Sequence, residues 1–314
     1  MNIFWNKYDR KLPLSTDEIL QEYKFTNVYR AADRVSQYLI KNVIYQENSF
    51  TPEDTLFRIL VFKIFNKPET WDYLETKVGV ITLKNFDLQK INKALLEQKN
   101  NHPIFNNAYM MTGTHSLYNH LKYKHEKWLE MVKNEIIGDS ILKKILDSNS
   151  LSKVYELLRG CSFIGDFLGY QYAIDMNYSS AIDFSENSFV KAGIGAIRGI
   201  KKCFEPLEKN DSYEDAIKFT QENFDLYQEK FGYTEFKPLF GRDLTLIDLQ
   251  NCFCETDKYL RAKLPELQVD NKRIKQKYNE TNKSIDLFFP PKWNINSKII
   301  TPCIQPSMRE STLF

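Results

Sequence analysis

The chain of 314 residues can build one large domain or two lobes around a sizeable core, since 42% of its residues are hydrophobic and 14% are aromatic. With 43 basic and 41 acidic residues the net charge is only +2, which excludes nucleic-acid binding through overall charge and leaves a local basic patch as the electrostatic route. No segment approaches the roughly 18 consecutive apolar residues of a membrane span, and the N-terminus lacks a signal-peptide core. The sequence therefore predicts a globular, cytoplasmic protein without a membrane segment.

The five cysteines and four histidines predict neither a disulfide framework nor a metal site. The cysteines are scattered and odd in number, as expected of reduced thiols. Cys252-Phe253-Cys254 does not have the spacing of a zinc knuckle, and the histidines all lie between residues 102 and 125 without cysteines beside them. We expect no metal and no cofactor.

Helical periodicity, bounded by capping signals, extends through most of the chain. A capping box at residues 15–18 predicts a first helix, and residues 27–44 predict a second helix with a buried apolar stripe. Thr51 and Pro52 give a strong helix start, because a cap is followed by proline at the first helical position. Since no stretch alternates as a strand does, the predicted fold class is mainly α. Further helices are predicted around 71–79, from 87 onward, over 116–137, 141–146 and 152–158, from 164 onward, over 212–232, and from 245 to about 263.

After about residue 270 the periodicity ends. Prolines punctuate the tail from residue 288 onward, which favours a segment that wraps the surface or is partly disordered. The predicted organisation is a helical domain over residues 1–270 and a basic, loop-rich C-terminal segment over residues 271–314. The basic cluster of that segment comprises Lys272, Arg273, Lys275 and Lys277.

The stretch from Leu151 to Phe204 is the most informative in the chain. An apolar helix, a short turn and a second helix opening around Gly165 are followed by Asp183, about 18 positions further on. Backbone N–H groups at a helix N-terminus bind anions, and a glycine there lets a phosphate come close. A simple helical hairpin with a tight crossing explains the glycine spacing equally well, and Asp183 alone is also compatible with a helix N-cap.

A glycine-rich segment with three cations follows between residues 193 and 202. Such a backbone beside positive charge favours close approach to a phosphate. It is not a Walker loop, because no Lys-Ser/Thr follows a glycine at the required spacing. The residues predicted to contact phosphate groups are Gly165, Gly193, Gly195, Arg198, Lys201 and Lys202.

The hairpin with its following aspartate resembles the core of the helix-hairpin-helix DNA glycosylases. The resemblance implies two packed helical lobes with a cleft, in which a flipped nucleotide meets Asp183 as the carboxylate that stabilises the oxocarbenium charge and orients water. Asn187 and Glu255 complete the predicted catalytic set. Phe167 and Leu168 occupy the region of the lysine nucleophile found in bifunctional members, which favours a monofunctional enzyme.

The turn of the hairpin departs from that family. Where its members commonly have Leu-Pro-Gly-Val-Gly, this chain has Cys161-Ser162-Phe163-Ile164-Gly165. The first glycine is therefore missing.

Two polar helix faces predict a pocket for the base. One face carries a row of planar hydrogen-bonding groups between residues 30 and 37, and a later helix carries Asn251, Glu255 and Lys258. These groups outnumber what a flat base needs, which favours a bulky modified pyrimidine. Solvated faces with ordinary ion pairs are the alternative. The predicted base pocket comprises Arg30, Asp33, Arg34, Gln37, Tyr109, Asp257 and Lys258.

Four longer strings point to a narrower family. Residues Asn27–Ile40, Phe65–Trp71, Ala192–Phe204 and Asp248–Tyr259 are similar to the alpha-glutamyl/putrescinyl thymine pyrophosphorylase family. That family belongs to phage DNA hypermodification and is glycosylase-like, and some relatives excise bulky modified bases from phage DNA as an antiviral defence. The resemblance implies a monomeric DNA glycosylase that excises a bulky modified pyrimidine from double-stranded DNA and leaves an abasic site.

Two other functions are also compatible with the sequence. A non-catalytic reader of modified DNA would keep the basic contacts and tolerate the loss of Asp183. A transferase would displace pyrophosphate from an activated thymine methyl with an amine, and it needs cations for pyrophosphate and a base for the amine. Its candidates are Arg30, Arg34, Arg198 and Lys202 for pyrophosphate, and Glu255 or Asp257 as the base.

Overall fold

The computed structural model describes residues 1–46, 50–107, 111–204, 206–208, 211–233, 236–268, 277–278 and 285–300. Within these ranges fourteen α-helices form the fold, and β pairing is limited to two isolated bridges, so the predicted mainly α class is confirmed. None of the helices described is long and apolar enough to cross a bilayer. The helices are α1 (Asn2–Tyr8), α2 (Glu18–Glu22), α3 (Arg34–Tyr38), α4 (Pro52–Phe65), α5 (Pro68–Val78), α6 (Leu88–Asn101), α7 (Lys124–Met131), α8 (Ile141–Leu146), α9 (Leu151–Arg159), α10 (Asp166–Asn177), α11 (Ile194–Cys203), α12 (Tyr213–Glu222), α13 (Phe224–Lys230) and α14 (Leu246–Lys263).

Helices α4 and α10 form the centre of the molecule. Every residue of α4 from Thr55 to Phe65 is buried, and so is every residue of α10 from Leu168 to Asn177. A helix that is enclosed on all sides needs neighbours around its whole circumference. Helix α4 accordingly packs against α5, α7, α8 and α10, while α10 also packs along α9.

The turn between α9 and α10 contains a non-glycine residue in a backbone conformation that favours glycine. Phe163 adopts a left-handed conformation with φ of 68°, at the position where the glycosylase hairpin carries its first glycine. A bulky residue is strained in this region. Packing offsets the strain, because the buried ring of Phe163 stacks on Trp128 with centroids 5.2 Å apart. Helices α9 and α10 therefore pack together in spite of the changed turn sequence, while the likeness to the glycosylase hairpin stays a prediction.

Helices α11 and α14 cross at very short distance. A Cβ on Gly195 would fall 2.3 Å from the Sγ of Cys254, and a Cβ on Gly199 would meet the backbone of Phe253. These two glycines are required by helix packing. The expectation that Gly195 approaches a phosphate is therefore wrong, because its open side is occupied by α14.

The second predicted helix, over residues 27–44, is interrupted. Asp33 is extended, with φ of −69° and ψ of 145°, and separates a 3-10 turn at Arg30–Ala32 from α3. The Asp33 carboxylate accepts the backbone N–H of Asn27 at 2.9 Å, which stabilises this break. Helix α3 then continues as a π-helix over Leu39–Ile44.

Two other helices have boundaries that differ from the prediction. The helix expected over residues 116–137 begins only at Lys124 and ends in a π-helix over Val132–Ile137. The helix expected over 212–232 is divided at Asn223 into α12 and α13. The starts at Thr51 and Thr245 match the prediction, because capping signals there are local.

Residues 285–300 form a C-terminal strap across the surface. Its backbone N–H at Phe288 donates to the Oε1 of Gln37 at 2.7 Å, and the Nζ of Lys298 donates to the carbonyl of Phe240 at 3.0 Å. The expectation of a tail that wraps the surface is confirmed for these residues. The predicted domain boundary at residue 270 and the cluster from Lys272 to Lys275 lie outside the described residues.

Candidate nucleic-acid interface

The N-termini of α10 and α11 lie side by side. Phe167, in the first turn of α10, packs on Gly193, since a Cβ on Gly193 would lie 3.2 Å from the Cδ2 atom of Phe167. The N-cap residues of the two helices are Gly165 and Gly193, which have no side chain that can cap the first N–H groups. Two partial positive charges therefore adjoin the same region of the surface.

The outward face of α11 combines an apolar tip with positive charge. Ile194 is 66% exposed, and Arg198 and Lys201 follow at helical spacing on the same side. In the part of the chain that the structure describes, Arg198 makes no ion pair or hydrogen bond, while Lys201 lies 5.8 Å from the ring centroid of Tyr213. We define the α10–α11 surface as Gly165, Phe167, Gly193, Ile194, Arg198 and Lys201.

Four of the six residues predicted to contact phosphate lie on this surface, and two do not. Gly195 faces α14, as described above. Lys202 binds the buried carboxylate of Asp257 at 2.5 Å, and Arg261 donates to the same carboxylate at 3.1 Å. Lys202 and Asp257 therefore form an ion pair with each other. This corrects the expected role of Lys202 as a phosphate contact and of Asp257 as a residue of the base pocket.

Gly165 is not required by the fold itself. Its φ of −82° suits any residue, and an added Cβ would meet no atom within 4 Å. The next residue, Asp166, accepts from Arg159 at 2.5 Å and from Tyr155 at 3.0 Å, and these bonds hold the pKa of the Asp166 carboxyl below its usual range. An acid in the first turn stabilises α10 but weakens its attraction for phosphate. The N-terminus of α11 is therefore the more favourable of the two for an anion.

Asp183 lies on the loop between α10 and α11. Its side chain is 78% exposed and forms an ion pair with Lys292 of the C-terminal strap at 3.0 Å. Along this stretch no helix begins before Ile194, so the alternative that Asp183 caps a helix is wrong. Asn187, on the same loop, accepts the backbone N–H of Leu246 at 3.3 Å and borders a groove of about 420 Å³. The other residues around this groove are Gly241 to Thr245, Trp293 to Ile295 and Lys298.

A buried cluster beside Asp183 attaches the strap. The side chain of Glu186 is only 9% exposed, and it binds Arg242 at 2.8 Å and the Nε1 of Trp293 at 3.0 Å. The guanidinium of Arg242 lies 3.6 Å from the ring centroid of Trp293. These residues are far apart in sequence, so no local pattern could have identified them.

Arg30 and Gln37 are bound inside the protein, contrary to the expected base pocket. Arg30 is 4% exposed, and its guanidinium donates to Gln171 at 2.8 Å and to Asp175 at 2.6 Å. Burial alone would raise the pKa of Asp175, but the positive charges of Arg30 and Lys63 outweigh it and hold the pKa below its usual range. The side chain of Gln37 is buried and bonded to the strap. An open pocket around these two residues is therefore excluded.

The middle of α14 meets residues 24–33 in a second polar cluster. The Oε2 of Glu255 binds Lys258 at 2.5 Å and accepts the backbone N–H of Thr26 at 3.2 Å. Burial raises the pKa of Asp33 to about 7, and the negative charge of Glu255 adds to the effect. Asp33, Glu255 and Lys258 thus lie near one another, and their role in a base pocket stays a prediction. Arg34 is exposed, and Tyr109 lies outside the described residues.

The predicted catalytic set is divided between two places. Asn187 binds Leu246 at the start of α14, whereas Glu255 lies nine residues further along the same helix. At 1.5 Å per residue this is roughly 13 Å along the helix axis. Asp183 and Asn187 share one loop, and Glu255 belongs to the second polar cluster.

Phe167 lies on the α10–α11 surface but is not among the predicted site residues. Its sequence position indicates only the absence of a lysine nucleophile, because its 46% exposure and its packing on Gly193 depend on the fold. Lys292 gave no signal, because its partner Asp183 is more than a hundred residues away in the chain.

The fold and the α10–α11 surface define a helical domain with an exposed basic helix face. The chain belongs to the family of the 5-hmdU DNA kinase helical domain, whose family model matches residues 1–269. It is 26% identical over 287 residues to the 5-hmdU DNA kinase of Bacillus phage SP10, and the alignment covers 85% of this chain and 44% of that relative. The chain thus spans less than half the length of the relative. No solved structure matches it.

The family match corrects the narrower resemblance. The family model and the relative are both named for a kinase of 5-hmdU DNA, so the family that matches is the kinase helical domain and not the pyrophosphorylase family. The relative is named for a kinase, which is a different reaction type from base excision. The comparisons therefore support a modified-base setting and give no support to a glycosylase.

Proposed function

We propose that the protein recognises DNA that carries 5-hmdU, or a base made from it, and binds this DNA through the α10–α11 surface. The base of the nucleoside 5-hmdU is thymine with a hydroxyl group on its 5-methyl carbon, so it offers one extra donor and acceptor. The observation that carries the proposal is that Arg198, unpaired within the described residues, lies beside two helix N-termini on one exposed face. Family membership supports the choice of base.

The chemistry of this surface suits a nucleic acid. Helix N-terminal N–H groups and a guanidinium bind phosphate oxygens. The exposed side chains of Phe167 and Ile194 offer apolar faces against which bases stack or wedge. Because the net charge is only +2, the attraction for DNA would arise from this patch.

Recognition, rather than phosphoryl transfer, is the role we assign to these residues. The glycine-rich segment that starts at Gly193 packs α11 on α14 through Gly195 and Gly199. The 314 residues contain no Gly-x-x-x-x-Gly-Lys-Ser/Thr loop for nucleotide phosphates. The expected amine transferase also loses two of its four pyrophosphate contacts, since Arg30 and Lys202 are bound internally.

A matched pair of variants tests the surface. Ile194→Asp places a negative charge at the tip of α11, and Leu226→Asp places one on α13, where Leu226 is 59% exposed. We expect Ile194→Asp to weaken binding of a fluorescent duplex containing one 5-hmdU by about tenfold, equivalent to ~1.4 kcal/mol. Leu226→Asp should bind like the wild type. Equal affinities of the two variants would show that DNA does not contact this surface.

Excision of the modified base is a second candidate function, favoured by the position of Asp183. Its exposed carboxylate lies on the loop that follows the hairpin, close to the groove at Asn187. In such a reaction the glycosidic C–N bond breaks and the base leaves with the electron pair; a water oriented by the carboxylate adds to C1′ of the sugar, and the proton that this water loses neutralises the departed base. Asp183 would stabilise the positive charge that develops on the sugar.

A further inference from the structure

Three lysine ammonium groups lie on aromatic rings in the region between α6 and α7. The Nζ of Lys99 lies 4.0 Å from the ring centroid of Tyr123, and the Nζ of Lys122 lies 5.1 Å from the same centroid. The Nζ of Lys124 lies 4.0 Å from the ring centroid of Phe105. These contacts hold three long cationic side chains against the protein surface. We define the five residues as the α6–α7 cluster.

The positive charge of this cluster is not neutralised within the described part of the chain. None of the three ammonium groups makes an ion pair or a hydrogen bond with a described residue. The sequence from Lys99 to Lys127 contains one acid, Glu126. The carboxylate of Glu126 accepts the backbone N–H of Tyr123 at 2.8 Å, as part of the capping box that starts α7.

Lys124 is partly withdrawn from water. Its side chain packs over Gly113, where an added Cβ would lie 3.3 Å from the Cγ of Lys124. Burial lowers the pKa of the Lys124 ammonium group. Because a partly desolvated charge is screened less by water, an anion placed beside it is attracted more strongly than at a fully solvated lysine.

The cluster adjoins the turn that leads into α10. Trp128 follows Lys124 by one turn of α7, about 6 Å along the helix axis. The ring of Trp128 stacks on Phe163 with centroids 5.2 Å apart. Phe163 precedes Gly165 of the α10–α11 surface by two residues. Since a duplex carries one negative charge for about every 1.7 Å of its axis, the same DNA molecule can contact both places.

We propose that the α6–α7 cluster is a second DNA contact, which binds the sugar–phosphate backbone without reading its sequence. The proposal rests on DNA binding by the α10–α11 surface and adds the place that holds the neighbouring backbone. Lysine binds phosphate as a point charge and carries no fixed geometry for reading a base. Because the aromatic rings already restrain the lysine side chains, less conformational entropy is lost when phosphates bind.

A double variant with a matched control tests this second contact. Lys99→Gln combined with Lys122→Gln removes two exposed charges from the cluster. Lys218→Gln combined with Lys230→Gln removes two exposed charges from α12 and α13, where Lys230 likewise lies on a ring, 5.8 Å from the centroid of Tyr227. Fluorescence anisotropy at several salt concentrations measures binding of two duplexes that differ only in 5-hmdU or thymine at one position.

We expect the slope of log affinity against log salt concentration to become shallower by about 1.8 in the first double variant, since each lost phosphate contact contributes about 0.9. The affinities for the two duplexes should fall by the same factor, because backbone contacts carry no sequence information. The control should keep the wild-type slope. An unchanged slope, an equal change in the control, or a loss confined to the 5-hmdU duplex overturns the second contact and leaves binding by the α10–α11 surface intact. If the wild type binds neither duplex, both proposals fail.

Discussion

Gly199 of α11 lies directly against the backbone of Phe253 in α14, where a Cβ on Gly199 would fall 1.9 Å from the carbonyl oxygen of Phe253. No side chain can be accommodated at that distance, because backbone cannot move aside as a flexible side chain does. The contact fixes the position of α11, and with it the exposed row that begins at Ile194, relative to α14.

Substitution of Gly199 tests this crossing. Gly199→Ala should destabilise the protein by about 3 kcal/mol, the upper part of the range for overpacking. Gly165→Ala is the control, since its Cβ would meet no atom within 4 Å and only the weaker capping of α10 by alanine should lower stability, by about 1 kcal/mol or less. Thermal unfolding followed by circular dichroism measures both. Equal Tm values for the two variants would mean that the helices are not in such close contact.

The glycines illustrate how much of the fold the sequence predicts. The spacing of the glycines at residues 193–199 indicates that the backbone there is closely approached by another group, and the structure shows that this group is α14. The sequence could not show whether the group is a helix or a phosphate, because α14 lies about fifty residues later in the chain. Starts of helices at Thr51 and Thr245 were predictable, because a cap and its N–H groups are neighbours in sequence.

The polar residues of the site were harder to predict for a related reason. Arg30 was expected on an open helix face, but the extended conformation of Asp33 ends the helical period and turns Arg30 into the core, where it meets Asp175. The partner of Asp183, Lys292, comes from the strap. Long-range pairs of this kind leave no periodic signal in a single sequence.

Removal of one cation from α11 should change the salt dependence of DNA binding. Arg198→Gln removes a charge that is unpaired in the described part of the chain, so the slope of log affinity against log salt concentration should become shallower by about 0.9. Lys77→Gln, on α5, removes the same charge elsewhere and should leave the slope unchanged. Titrations at several salt concentrations give both slopes. The same change of slope in both variants would mean that the effect is one of net charge.

Asp183→Asn should abolish the proposed release of a modified base, because it removes the charge at nearly constant volume. Tm and DNA affinity should change little, since the side chain is 78% exposed and its ion pair with Lys292 is a surface contact. Lys292→Gln is the control that keeps the carboxylate and should retain release. Detection of abasic sites after incubation with hypermodified DNA measures the activity. Release at the wild-type rate by Asp183→Asn would assign Asp183 a structural role.

Stability should depend on pH through Asp33. Burial raises its pKa from 3.8 to about 7, so between these values the folded state binds more protons than the unfolded state. The contribution of Asp33 to stability is therefore largest at low pH and is lost as the pH rises through 7. Asp33→Asn keeps an acceptor for the N–H of Asn27 and removes the titration. Its Tm relative to the wild type should rise between pH 5 and pH 8, and a constant difference would show that Asp33 does not titrate in this range.

Competition binding measures whether the protein prefers DNA with the modified base to DNA with thymine. Two unlabelled duplexes, identical except for 5-hmdU or thymine at one position, compete with a labelled 5-hmdU duplex for the full chain. Because the extra hydroxyl group can make one additional hydrogen bond, worth about 1 kcal/mol, we predict that the 5-hmdU duplex competes roughly fivefold better. Equal competition by the thymine duplex would contradict recognition of the modified base.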